Sequence, residues 1–495
     1  MRIGKVYLVG AGPGDSELIT VKGMEVIKKA EVILYDRLVN PKLLDYANAD
    51  CELIYCGKLP TRHFMKQEEI NRTLLEKALA GFTVVRLKGG DPSVFGRVGE
   101  EAEVLAEQNV AYEIVPGITS GIAAPLYAGI PVTHRDYAGS FAMVTAHDKS
   151  KNGKPDIDWE GLARGVQTIA FYMGVSNLEH ICENLILHGK APDTPVIVIR
   201  WGTWSRQESV VGTLSSIVEK VREGNIENPA ITLVGDIVAT REKIKWFEKK
   251  PLFGQQLLYV RGCAEEECFA HEYVDQGADV IEFPKWEINE GSLDVKVRKK
   301  LTVYKRMLFM STEAATNFFK LLKKYKIDIR QLQARLFCKQ LSTIKLLEDK
   351  GFLAGLADEI DSEGSLLIIG SNDHCEKKWK LDYKYGEHDY AGVYQASIDK
   401  RYEPIIRRSI EDASISAILF STSDSVHTFM KQATHYGVSI QSLASTTDFI
   451  CLSKQAWLTA TNYGLQPKMQ DENNKLSVGD YSQKSTELIV SSKTY

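Results

Sequence analysis

Two glycine-rich segments within the first hundred residues constrain this chain most: Val9-Gly10-Ala11-Gly12-Pro13-Gly14-Asp15 and Leu87-Lys88-Gly89-Gly90-Asp91-Pro92. Each directly follows a short apolar run, Val6–Val9 and Val84–Leu87. Glycine after a strand lets backbone amides come close to a ligand. One such loop is common. Two in one region predict a small molecule held between two strand ends of an α/β sheet. The first loop imitates a dinucleotide fingerprint, with Asp36 at the end of the next apolar run, Val32–Tyr35. The third glycine of that fingerprint would fall where Asp15 stands, and Pro13 has no N–H to offer a pyrophosphate. A nicotinamide-dependent enzyme is therefore the weaker reading. A plain strand–turn–helix corner is the bland one, and the second loop counts against it.

Strand-like and helix-like segments alternate up to about residue 245. Strands are expected over 5–10, 31–35, 52–56, 83–88, 112–115, 140–145, 167–172, 195–200 and 230–235, with helices over 67–80 and 98–108 between them. This alternation predicts an α/β fold. A charged stretch then meets Pro251 and Gly254, and 246–255 reads as a linker. The segment 256–465 carries an internal repeat. Leu308-Phe309-Met310-Ser311-Thr312-Glu313 returns 111 residues later as Leu419-Phe420-Ser421-Thr422-Ser423-Asp424. A repeated strand, Ser/Thr turn and helix predict two similar α/β lobes. The hydroxyls suit helix N-caps, or alternatively mark two helix N-termini facing an anion between the lobes. Residues 466–495 are polar with little periodicity and read as a mostly disordered tail.

The net charge of −4 gives no support for a nucleic-acid partner, and no apolar stretch is long enough to span a bilayer. The first residues run straight into a strand without a signal-peptide pattern, so the expected location is cytoplasmic. The eight cysteines form no C-x-x-C pair. Cys263, Cys268 and His271 lack a clear fourth ligand, so free thiols, and no metal, are expected.

Polar residues gather where strands should end: Asp36 and Arg37 in Tyr35–Val39, Lys58 after Cys56-Gly57, Gly89–Arg97, Pro116–Ser120 and Tyr172-Met173-Gly174. Taken alone, Asp36 reads as a turn carboxylate and Lys58 as a solvated amine. His147 reads as a structural polar contact. As a set these motifs closely resemble the uroporphyrinogen-III C-methyltransferases of the tetrapyrrole methyltransferase family, over the first 245 residues. The resemblance implies two α/β subdomains with S-adenosylmethionine in the cleft between them, distinct from the Rossmann methyltransferases. It implies two methylations of uroporphyrinogen III to precorrin-2, feeding sirohaem or cobalamin synthesis, and a homodimer with neither a nucleic-acid nor a membrane partner. The implied cofactor site is Pro13, Gly89, Gly90, Asp91, Val94, Thr119, Ser120, Met173 and Gly202, with Asp36 as proton acceptor and Lys58 as proton donor. Arg37, Arg62 and Arg97 are candidates for substrate carboxylates, or equally surface charges. The chemistry is consistent: methyl transfer from a sulfonium is governed by positioning, and a carboxylate can take the pyrrole N–H proton. A later corrin intermediate as acceptor is the alternative, because donor loops do not encode the acceptor.

The second half resembles uroporphyrinogen-III synthase through its two-lobed repeat, its Ser/Thr turns and Val393-Tyr394-Gln395, which makes Tyr394 the implied functional tyrosine. Its departures are Cys338-Lys339-Gln340-Leu341-Ser342 and Cys451-Leu452-Ser453-Lys454-Gln455, where the family's glycine is absent. Two readings follow: an active synthase, or a catalytically degenerate binding domain.

Overall fold

The computed structural model describes residues 3–57, 65–146, 156–372 and 378–470. Its described part divides into two compact units, one running to Gln255 with Asp275–Asp279 added, the other holding the rest.

The first unit contains two sheets. Strands β1 (Lys5–Gly10), β2 (Val32–Tyr35), β3 (Glu52–Tyr55), β4 (Val84–Lys88) and β5 (Ala111–Val115) form a parallel sheet in the order β3-β2-β4-β1-β5. Because β4 returns beside β1, their carboxyl ends are neighbours, with Gly10 opposite Lys88. Such a reversal of strand order is where open α/β sheets bind ligands. Strands β6 (Phe141–Thr145), β7 (Thr168–Tyr172), β8 (Pro195–Arg200), β9 (Glu208–Thr213) and β10 (Ala230–Val234) form a mixed sheet ordered β6-β7-β10-β8-β9. The sequence pattern missed β9, an antiparallel edge strand with no fully buried residue to mark it.

One face of the parallel sheet changes character along its length. Val6, Leu8, Val32, Leu34 and Val84 pack there with Ile70, Leu74, Ala102 and Leu105 of the helices Gln67–Leu79 and Val98–Glu107. Side chains alternate along a strand, so Arg86 and Lys88 follow Val84 on this same face. The apolar layer thus gives way to a charged one toward the carboxyl ends of the strands. Arg86 and Lys88 are buried in a strand whose other residues are all apolar. Buried cations require partners.

The segment 246–255, expected as a linker, ends at the boundary between the units and is itself packed on the first. Trp246 donates its indole N–H to Leu126 O at 3.1 Å, the buried Phe247 ring lies 4.8 Å from that of Tyr127, and Glu248 pairs with Arg241 and Lys245 at 2.8 Å. Two aromatic rings and a carboxylate give this segment enough to bury.

The second unit bears out the repeat. Strands β11 (Gln256–Val260), β12 (Asp279–Phe283), β13 (Trp286–Glu290), β14 (Arg306–Phe309), β15 (Arg335–Cys338), β16 (Ala354–Leu356), β17 (Leu366–Ser371), β18 (Asp389–Ile398), β19 (Ala417–Phe420), β20 (Asp448–Cys451) and β21 (Pro467–Met469) form two sheets, ordered β12-β11-β19-β20-β21 and β13-β18-β17-β14-β15-β16. The repeat copies are β14 with helix Thr312–Lys324 and β19 with helix Ser423–Gln432, one in each sheet. Residues 467–469 correct the expected tail: they form an edge strand parallel to β20, with Phe449 opposite Pro467. Residues 471–495 lie outside the described part.

Candidate active site

The two glycine loops pair with each other. Gly90 N donates to Gly12 O at 2.7 Å and Ala11 N to Lys88 O at 2.7 Å. The loop after β5 closes on both. A Cβ at Gly117 would stand 2.4 Å from Gly90 O and 2.8 Å from Gly10 Cα, and one at Gly10 would stand 2.6 Å from Gly117 Cα. Three backbones converge closely enough to exclude any side chain, so packing alone demands glycine at 10 and 117. Gly90 differs. Its φ is +71°, and a Cβ there would meet only Thr119 Cα at 3.9 Å and Ser120 N at 4.0 Å. The space beside it is a cradle walled by backbone, and it fits a cofactor that must approach main chain closely.

The other expected cofactor residues surround these loops. Asp91 Oδ2 accepts from Gly117 N at 2.9 Å and Oδ1 from Ser93 N at 2.7 Å. In this structure Asp91 therefore fastens the second loop to the third. Val94 N donates to Asp91 O at 3.2 Å, closing the turn. Gly89 rests against Leu38, where a Cβ would come within 3.1 Å of the leucine Cβ. Pro13 lies half-buried in the first loop. Its neighbour Asp15 accepts from Tyr127 Oη at 2.8 Å, and Asp15 N donates to Thr203 Oγ1 at 3.0 Å. Gly202 packs on helix Ser120–Tyr127, with Ala124 Cβ 2.3 Å from where its own Cβ would be.

Tyr172, at the end of β7, ties these pieces together. Its hydroxyl lies 2.6 Å from both Thr119 Oγ1 and Gly121 N, and its ring meets Phe95 at 5.0 Å. It thereby links the mixed sheet to the loops after β4 and β5. The sequence marked Tyr172 only as part of a motif. A tyrosine before a strand-end Met-Gly was the available signal, but nothing local reveals its partners. Met173 follows it, nearly half exposed. Non-glycine residues with positive φ gather in these same loops: Phe95, Arg97, Met173, Trp201 and Thr203, at +50° to +73°. Backbone strain of this kind concentrates at functional sites.

Asp36 stands at the end of β2, a third exposed, and its Oδ1 accepts from Arg86 Nη2 at 2.5 Å. Arg86 Nε reaches Glu101 Oε1 at 3.2 Å, as do Lys88 Nζ at 2.7 Å and Gln67 Nε2 at 3.1 Å. Glu101 is fully buried. Burial lowers the pKa of the Arg86 guanidinium, but Asp36 and Glu101 beside it reverse this and raise it above its ordinary value. Burial also pushes the neighbouring Cys56 thiol up to about 11. Sequence reasoning missed this network. Its signal was two charges at alternate positions of an otherwise apolar strand, followed by Glu101 on the next helix.

Arg37 is exposed and carries no contact that fixes a role. Arg97 is exposed and forms a bidentate pair with Glu100, at 2.7 and 2.5 Å. Lys58, Arg62 and His147 lie outside the described residues. Among the described residues no group of three or more metal-ligating side chains comes together, and Cys263 and Cys268 are free thiols.

In the second unit Tyr394 is wholly buried on β18. Its hydroxyl meets Glu265 Oε1 at 3.2 Å and Ser311 Oγ at 3.3 Å, while Ser371 N donates to the same Glu265 oxygen at 2.7 Å. Glu266, the next residue, turns to the other lobe. It accepts from Gly262 N at 2.5 Å and from the Ser421 hydroxyl. The repeated hydroxyls do cap helices: Ser311 Oγ accepts from Ala314 N and Thr422 Oγ1 from Ser425 N, each at 3.1 Å. The carboxylates between the lobes are the chain's own.

Comparison with known proteins matches this division. The family model for Tetrapyrrole (Corrin/Porphyrin) Methylases covers residues 5–218, and that for Uroporphyrinogen-III synthase HemD covers 269–477. The paired glycine loops thus belong to a tetrapyrrole methylase, followed by a synthase-type domain. A Bacillus subtilis (strain 168) protein named uroporphyrinogen-III C-methyltransferase is 50% identical over 91% of this chain and 92% of its own length. The Ruminiclostridium josui porphyrin biosynthesis protein HemD is 33% identical over 94% of this chain and 95% of its own. A solved uroporphyrin-III C-methyl transferase from Thermus thermophilus, complexed with S-adenyl homocysteine, is 41% identical, with a TM-score of 0.41 over 48% of this chain and 99% of that one. The chain belongs to the uroporphyrinogen-III C-methyltransferase family, in a form carrying a uroporphyrinogen-III synthase-type domain. None of its described helices is long and apolar enough to cross a membrane.

Proposed function

We propose that the first unit methylates uroporphyrinogen III at two carbons to give precorrin-2, the entry to sirohaem and cobalamin synthesis. The observation that carries this reading is the convergence of the three loops around Gly90, in a chain half identical to a named uroporphyrinogen-III C-methyltransferase. S-adenosylmethionine supplies an electrophilic sulfonium methyl group. Gly89, Gly90, Thr119 and Ser120 line its cradle, with Pro13, Val94, Met173 and Gly202 around it, and Asp91 holds the loops in register. Asp36 takes the N–H proton of the pyrrole as its ring carbon attacks the methyl group, so that the alkylated ring does not carry the positive charge given up by the sulfonium. Lys58 is its proton-donating counterpart on sequence grounds. Arg37 and Arg97 are the candidates for substrate carboxylates, Arg97 by exchanging Glu100 for substrate.

The protein works as a homodimer in the cytoplasm, a setting its free thiols suit. Ile118, Ile122 and Leu126, spaced four residues apart at and along helix Ser120–Tyr127, are exposed beside an exposed Trp246, and this apolar face supports pairing with a second copy. Leu126→Glu then yields monomers in sedimentation; dimers that persist would place the interface elsewhere.

The second unit makes uroporphyrinogen III from hydroxymethylbilane, using Tyr394. The synthase-family match supports this second reading. One experiment tests both: full-length protein with S-adenosylmethionine under anaerobic conditions, given uroporphyrinogen III or hydroxymethylbilane, with isomer analysis. Precorrin-2 from both substrates is expected, with the type III isomer in excess over spontaneous closure. Product from uroporphyrinogen III alone would leave the second unit a binding domain. Product from neither would remove the substrate assignment.

A further inference from the structure

We propose that Arg86 and Glu101 form a buried positioning pair that orients Asp36 and sets its basicity for the methylation reaction. The inference rests on Asp36 being the proton acceptor.

The geometry assigns opposite roles to the two residues. Arg86 is buried and delivers one guanidinium nitrogen, Nη2, to Asp36 Oδ1 at 2.5 Å. A cation at this distance fixes the direction of the carboxylate, and an opposite charge so close generally favours the charged form of a carboxyl group. Glu101 moderates this by taking Nε of the same guanidinium at 3.2 Å. Lys88 then bonds Glu101 at 2.7 Å, so two carboxylates face two cations and the cluster is neutral. Protonating Asp36 would leave the mostly buried cluster with a net positive charge. Buried charge is costly without a partner, so the cluster is arranged to keep its cations paired. Among the described residues, the charged and titratable groups gathered with Asp36 are Arg86 and Lys88 on β4, Glu101 on helix Val98–Glu107 and Cys56 after β3.

A purely structural role accounts less well for the arrangement. Ion pairs buried in a strand are often no more stabilising than apolar side chains of similar size. Here the pair reaches the surface at one point only, the partly exposed Asp36. Among the described residues, the bonds to Glu101 all go to Oε1, while its buried Oε2 has no hydrogen-bond partner. It is thus engaged on the side that faces the cations.

The test is the pH profile of kcat for methylation of uroporphyrinogen III by full-length protein at saturating S-adenosylmethionine. Arg86→Gln removes the cation, so the acid limb should move up by about one pH unit or more. Glu101→Gln leaves Arg86 wholly to Asp36, so the limb should move down and the plateau fall. Arg86→Lys should restore most of the wild-type profile. The triple variant Arg86→Gln/Lys88→Met/Glu101→Gln leaves no unpaired charge inside and should still show the upward shift, which keeps the test available if Arg86→Gln alone does not fold. S-adenosylhomocysteine binding by calorimetry reports folding, and KM for the donor should not change. An acid limb that stays at the wild-type position in folded variants would overturn the proposal. So would shifts of Arg86→Gln and Glu101→Gln in the same direction. A wild-type profile without an acid limb, or Asp36→Asn with full activity, would instead overturn the assignment of Asp36 as acceptor.

Discussion

The two units both bring a carboxylate against a buried polar side chain, and they do so in opposite senses. In the first, the buried members are Arg86, Lys88 and Glu101, and the end that reaches solvent is Asp36, the proposed proton acceptor. In the second, the tyrosine expected to act is itself buried, and Glu265 closes over it. A network open at one end can exchange protons with a substrate while its interior stays fixed. A network closed at both ends must open before it can do anything. The first unit therefore reads as preorganised, and the second as requiring separation of Glu265 from Tyr394.

The largest expected effect separates these cases directly. Asp36→Asn keeps the shape and removes the base, so methyl transfer should fall by about 10²–10⁴-fold, the usual contribution of a positioned acid or base. S-adenosylhomocysteine binding should persist, because the cradle at Gly90 does not involve Asp36. Tyr394→Phe, in the other unit, should leave methylation of uroporphyrinogen III at wild-type rate while changing conversion of hydroxymethylbilane. A methylation defect in Tyr394→Phe would break the comparison, since it would show the two networks to be coupled.

A second variant tests what the glycines do. Gly117→Ala places a Cβ 2.4 Å from a backbone oxygen, which no side-chain rotation can relieve. Three loops must then separate, at about 1–3 kcal/mol. Donor binding should be lost together with stability, measured by calorimetry and thermal melting. Gly90→Ala should behave differently: space is available, and only the positive φ opposes it, so it should cost less stability than Gly117→Ala while still weakening the donor. Equal destabilisation by both would mean that Gly90 serves packing as Gly117 does.

The contrast between these two glycines also shows where sequence reading stopped. Apolar runs ending in glycine were enough to place β1 and β4 and to infer a binding site at their ends, and the repeat was enough to expect two lobes. What glycine was for was not legible, because the reason lies in Gly117, about a hundred residues from Gly10 in sequence. Arg86 and Lys88 stand at alternate positions of a run read only for its apolar residues. Their partner Glu101 is on a helix, and only the fold brings them together. The strand β9 and the edge strand Pro467–Met469 were missed for a related cause: edge strands are half-solvated, so little apolar periodicity marks them. Segment 246–255 has the charge and turn residues of a linker and ends where the units divide, but its packing against Tyr127 and Arg241 is not legible in the sequence.

The smallest effect concerns acid, and here too the units diverge. Glu248, in the first, is drawn both ways: burial raises its pKa, but bonds from Arg241 and Lys245 prevail and leave it lowered. A lowered carboxyl adds stability above the ordinary carboxylate range of about 4.3, and that stability is lost as pH falls through the folded value. Glu266, in the second, is raised, chiefly by burial, which its bonds from Ser421 and Gly262 do not offset. A raised carboxyl contributes in the reverse sense: its stabilisation is complete below about 4.3 and disappears as pH rises through the folded value. At pH 7, above the ordinary carboxylate range, Glu266 therefore weighs against the fold. Glu266→Gln retains an oxygen for the Gly262 amide and offers its own amide to the Ser421 hydroxyl. It should raise the melting temperature at pH 7 by about 2–4 °C for each kcal/mol relieved, and the advantage over wild type should shrink as pH is lowered toward 5. Glu248→Gln should instead lower the melting temperature at pH 7, because Arg241 and Lys245 lose their anion. An advantage of Glu266→Gln that does not change with pH would mean that Glu266 is held by hydrogen bonding alone, and the two units would then respond to acid alike.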